Sequence, residues 1–70
     1  MNNNWISVDV DLPEYNKEVL VNVKELGVFT GDLISMKTGA GMKWRLFRKR
    51  YQIKVSNIDV THWMHMPEPI

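Results

Sequence analysis

The sequence predicts a mainly β protein: a small single-domain antiparallel sheet, either an open meander or a partly closed barrel of SH3-like size, with room for one short helix. Three observations point there. Apolar residues alternate with period two at Val19, Val21 and Val23, and again at Met42, Trp44 and Leu46. Glycines punctuate the spaces between such runs, at Gly27, Gly39 and Gly41. Pro13 and Pro67 close the first and last apolar runs, where a residue without an N–H ends a sheet ladder.

Taken in order, Trp5 to Val8 predicts an edge strand that stops before Pro13. Asp9 and Asp11 read as its polar face, and their place before Leu12-Pro13 also suits a turn. Glu18 to Lys24 is the clearest strand, with Val19, Val21 and Val23 on one face and Leu20 and Asn22 on the other. Glu25-Leu26-Gly27 supplies a turn, and Val28 to Ser35 returns as the second arm of a hairpin. Gly31 inside that arm marks a bulge or a close approach of backbones. Residues 36–41 form a second turn, after which Met42 to Leu46 alternates apolar and basic residues as a half-buried strand. The competing helix would align Trp44, Phe47 and Tyr51, but no capping residue introduces it. Arg48-Lys49-Arg50 then reads as a turn before a further strand through Tyr51, Ile53 and Val55. The final strand runs from Val60 to Met66, and Pro67 to Ile70 leaves as an extended tail.

All 70 residues fall in one domain, with residues 1–4 as a flexible N-terminal tail. A chain of this length buries only about 60% of the surface its unfolded form exposes. With no cysteine there is no disulfide or thiolate cage to add stability, so packing or self-association must supply it. Trp5, Trp44 and Trp63 are therefore the candidate structural core, because losing one buried Trp costs roughly 3–5 kcal/mol. Met1 to Asn4 has no signal-peptide character, and no apolar run approaches the roughly 20 residues that cross a bilayer. The expectation is a soluble cytoplasmic protein without a membrane partner.

The two ends carry nearly the same phrase, Trp5-Ile-Ser-Val-Asp-Val-Asp-Leu-Pro-Glu14 and Thr61-His-Trp-Met-His-Met-Pro-Glu-Pro-Ile70. In this the chain resembles the DUF551 family, small proteins and domains of phages and prophages with a W-I-S-V-x-x-x-L-P-E-like start and a V-T-H-W-M-P-L-P-E-P-like end. The resemblance implies a phage or prophage accessory protein in the host bacterial cytoplasm, of unassigned function. It covers both ends well and the middle by length, pattern and a central Trp. The family has proline where His65 stands, so that histidine departs from the pattern. The shared phrases suggest that Trp5 and Trp63 pack as neighbours in one core.

The strongest local feature lies between the ends. Residues 43–54 hold Lys43, Arg45, Arg48, Lys49, Arg50 and Lys54, six of the nine basic residues, and no acid. The rest of the chain has three basic and eight acidic residues, a formal charge of 3 − 8 = −5. With Phe47 and Tyr51 interleaved, the segment is a candidate anionic-ligand patch in which cations meet phosphates and a ring stacks on a base. The same pattern also describes any solvated sheet face, and basic residues on an edge discourage aggregation. An overall charge of +1 argues against a dedicated duplex binder.

Other chemistry is thinly represented. His62 and His65, three apart on a strand, project from opposite faces, and no cysteine supplies a third metal ligand. His62 is expected to bond a neighbouring backbone group and orient the last strand. Ser7, Ser35 and Ser56 lack a nucleophile-elbow context, and Gly39-Ala40-Gly41 lacks the ending of a phosphate loop. Neither catalytic residues, metal nor cofactor are expected. The expected role is a non-enzymatic interaction module engaging a host or phage protein, or its own copies as a homo-oligomer. The alternative is a binder of nucleic acid or a small nucleotide signal, with counter-defence as its use.

Overall fold

The computed structural model describes residues 4–36, 41–54 and 58–67. Among these residues, six strands form one antiparallel sheet: β1 (Ile6–Ser7), β2 (Val19–Val23), β3 (Gly27–Ser35), β4 (Met42–Arg48), β5 (Tyr51–Ile53) and β6 (Val60–His65). Their order across the sheet is β1-β6-β2-β3-β4-β5. Strands β2 to β5 are therefore a meander, and β6 returns to pair with β2 on one side and β1 on the other. Of the two shapes open to the sequence, the open sheet is the one adopted. Its edge strands have two and three residues, too short to pair with each other and close a barrel. The described residues include no helix, and the stretch that could align Trp44 with Phe47 is strand β4.

Alternation decides what is buried. Val19, Val21 and Val23 are almost wholly enclosed, and Leu33, Leu46, Val60 and Trp63 join them on the same face. Removing each such aliphatic side chain from water contributes roughly 1.5–3 kcal/mol. Val60 and Trp63 are three apart yet both face inward, which regular alternation forbids. The register shifts between Asn22 and Val23, so that Val23 faces Val60 while Asn22 faces His62. Thr61 is the extra residue of this bulge, and its hydroxyl accepts a 2.9 Å hydrogen bond from the Asn22 amide.

The connections cover that inner face. Val8 and Ile58 pack on the cluster with Ile6, Phe29, Trp44 and Ile53. The Trp63 indole N–H donates to the Asp11 carbonyl at 3.0 Å, and the His65 ring meets Trp63 edge-on at 5.0 Å. Beyond Pro13, which is buried, the chain reaches β3, where the Asn16 N–H donates to the Leu33 carbonyl at 2.8 Å.

The end phrases meet as expected, but not through both tryptophans. Ile6 pairs with Trp63 and faces the core, so its neighbour Trp5 lies on the other side of the sheet. The inclusion of Trp5 in the core is thereby corrected. Asp9 is not on an edge strand either, because pairing stops at Ser7. The Val10 and Asp11 N–H groups both donate to the Ser7 carbonyl, making a turn.

Gly31 marks a close approach rather than a bulge, since β3 and β4 keep unbroken register through it. The expected tail ends, the centre of the second turn and Val55 lie outside the described residues.

Candidate binding surface

The outer face of the sheet carries the alternate residues of each strand: Leu20 and Asn22, Val28 and Thr30, Lys43, Arg45 and Phe47, His62 and Met64. Lys43, Arg45 and Phe47 share it, as the period of two requires. Arg45 is not free to meet a ligand. Its Nε and Nη2 donate to the two carboxylate oxygens of Asp32 at 2.8 and 2.6 Å, a paired contact between directly opposed residues of β3 and β4. These hydrogen bonds raise the Arg45 pKa above its ordinary value, against an opposing effect of desolvation. The same guanidinium lies 5.4 Å from the centre of the Phe47 ring.

The remaining cations separate. Arg48 points to the opposite side, with its guanidinium 4.7 Å from the Phe29 ring. Tyr51, its register partner, is exposed on that side. Lys49 and Arg50 form the tip of the β4–β5 hairpin, where both have positive φ, 51° and 74°. A two-residue hairpin turn needs this geometry to match the sheet twist, and Asn-Gly is its favoured sequence. A side chain in this left-handed conformation costs roughly 1–2 kcal/mol, so Lys and Arg hold the turn at a strain an Asn-Gly pair avoids. Lys43 and Lys54 meet beside Arg45, around a hollow of about 470 Å³ that Trp44, Gln52, Ile53 and Ile58 also line. The basic segment is thus divided between the hollow of Lys43, Arg45 and Lys54, Arg48 on the opposite side, and the Lys49–Arg50 tip, and is not one continuous patch.

Two further hollows open on the outer face. One of about 360 Å³ is lined by Trp5, Asn22, Val28 and His62. Another of about 240 Å³ has Leu20, Val28, Phe29, Thr30 and Phe47 beside Arg48 and Lys49. Both contain Val28, which is 53% exposed, so they adjoin. Among the described residues, His62 has the Thr61 hydroxyl as its partner, 3.0 Å from Nδ1, in place of the backbone group expected. His65 is on the inner face against Trp63, opposite His62. The Trp5 hollow and the Asp32 partner of Arg45 were not anticipated. Leu20 and Asn22 opposite the valine face were the sequence signal for the outer surface.

These features define a small open-sheet domain with one covered face and one uncovered, partly apolar face. The chain belongs to the DUF551 family: the model for "Protein of unknown function (DUF551)" matches residues 4–69, nearly its whole length. Comparison with curated proteins and with solved structures gives no match. Among the described residues, no helix is long and apolar enough to cross a membrane.

Proposed function

We propose that this protein is a non-enzymatic interaction module, a phage or prophage accessory protein of the host bacterial cytoplasm, which binds a protein partner through its outer sheet face and basic hairpin. The observation that carries the reading is the uncovered face itself. Leu20, Val28, Phe47 and Met64 stand there on adjacent strands with Trp5 beside them, while the connections pack on the other side. Contiguous apolar surface on a small protein marks a site of association. The cationic tip favours a partner whose rim is acidic and disfavours a second copy, which would bring like charges together. Nucleic acid fits less well, because Arg45 is held by Asp32 and Arg48 by Phe29, leaving fewer cations for phosphates.

The test is affinity capture from host cells with the wild-type chain and with Val28→Asp, an exposed position where a charge spoils the face without touching the core. The expected result is a protein retained by the wild type and lost by the variant, with both chains monomeric by light scattering. Identical capture by both chains would refute the reading, and dimerisation abolished by Val28→Asp would replace the foreign partner with the chain's own copy.

A further inference from the structure

We infer that the Lys49–Arg50 turn and the adjoining apolar hollow form a subsite for an extended acidic segment of the partner, an apolar side chain entering the hollow while flanking carboxylates meet the cations. This rests on the outer-face reading and names what that face recognises. The first ground is the strained turn. Both residues have positive φ, where Asn-Gly would relax the backbone, and both side chains are exposed. Among the described residues neither side chain enters a hydrogen bond or an ion pair within the fold. Strain retained at such a position points to use outside the fold.

The second ground is what surrounds it. The hollow of about 240 Å³ is lined by the apolar Leu20, Val28, Phe29 and Phe47 together with Thr30, and by the cations Arg48 and Lys49. A largely apolar cleft bordered by Lys49, with Arg48 engaged over Phe29, matches a side chain followed by a carboxylate. On the Arg50 side, Glu18 and Asp32 line a separate hollow and repel anions, so a carboxylate gains most at Lys49. Base stacking is the poorer match, because Arg45 lies over Phe47 and Arg48 over Phe29.

The experiment uses the full chain and three fluorescent probes: an alternating Phe/Glu peptide, its Phe/Gln counterpart and a single-stranded oligonucleotide. Anisotropy is read at low and moderate salt for the wild type and for Lys49→Asn combined with Arg50→Gly, which keeps the turn. The Phe/Glu peptide is expected to bind the wild type and to weaken on the order of tenfold in the variant, whose Tm is no lower. Equal binding by the variant, equal binding of the Phe/Gln peptide, preference for the oligonucleotide, or no binding at low salt would each overturn the inference. Capture separates it from the parent reading. A partner lost by Val28→Asp but kept by the turn variant defeats the subsite alone, whereas a partner kept by both defeats the outer-face reading as well.

Discussion

Gly31→Ala tests whether the close approach of β3 and β4 carries the fold. A Cβ at Gly31 would lie 2.5 Å from the Arg45 carbonyl oxygen and 3.4 Å from Val21 Cγ2. The first contact is with backbone, and β4 is held between β3 and β5, so the oxygen cannot swing aside as a side-chain tip would. Overpacking of this kind costs about 1–3 kcal/mol, and a backbone obstacle places it in the upper half of that range. With an unfolding entropy of about 2.1 cal/mol/K per residue, a chain of this length loses roughly 13–20 °C in Tm for 2–3 kcal/mol. Far-UV circular dichroism through the melt measures it directly. Gly27→Ala is the matched control, because nothing lies within 4 Å of that Cβ and only its φ of 98° opposes substitution. The control should lose about 1 kcal/mol, roughly 7 °C. A Gly31→Ala Tm within about 3 °C of wild type would show that the strands part freely, and the reasoning would fail.

Trp63→Phe should cost about 1–3 kcal/mol in urea unfolding, since it removes both indole area and the N–H that holds the Asp11 carbonyl. Trp5→Ala should cost less than about 1 kcal/mol by the same assay; a loss as large as at Trp63 would return Trp5 to the core. The double variant Lys49→Asn, Arg50→Gly should gain about 1–3 kcal/mol and melt several degrees higher, and a lower Tm would mean the turn is not strained. Arg45→Met should lower Tm by stranding Asp32. Because the folded-state pKa of Arg45 is raised, the pair's contribution is complete below the unfolded arginine value and is lost only as pH rises through the folded one. The Tm gap between wild type and Arg45→Met should therefore be the same at pH 7 and pH 10, and a gap that closes by pH 10 contradicts it.

Strand positions were readable because burial on one face of a sheet imposes period two, and the valines of β2 state it without interruption. The turns were readable for the same local reason, Gly27 and the basic triplet sitting where pairing reverses. Long-range facts were not. Nothing near Trp5 in sequence tells which side of the sheet it occupies; that follows from Ile6 pairing with Trp63, 57 residues away. The bulge at Thr61 was equally hidden, because its effect is to let Val60 and Trp63 share a face despite odd spacing. The basic segment was found as a run but its division was not, since Asp32 lies 13 residues from the Arg45 it neutralises. Linear charge density counts cations, whereas a ligand meets only those that the fold leaves unpaired and on one side.

For that reason the proposed binding role rests on the uncovered face and not on the charge run. A sheet has two faces, and a chain of 70 residues has few left over once six strands are made. Here both connections bearing Val8 and Ile58 pack on the face of Val19, Val21 and Trp63. The other face must then be either polar or completed from outside. Asn22, Thr30 and the Asp32–Arg45 pair answer the first requirement at the centre of β2, β3 and β4. Leu20, Val28, Phe47 and Met64 do not, and each sits where threonine would satisfy the same strand geometry with less exposed apolar area. Solubility alone does not account for those four choices together. The proposed partner would cover them, with Lys49 of the hairpin tip beside Val28 at its edge.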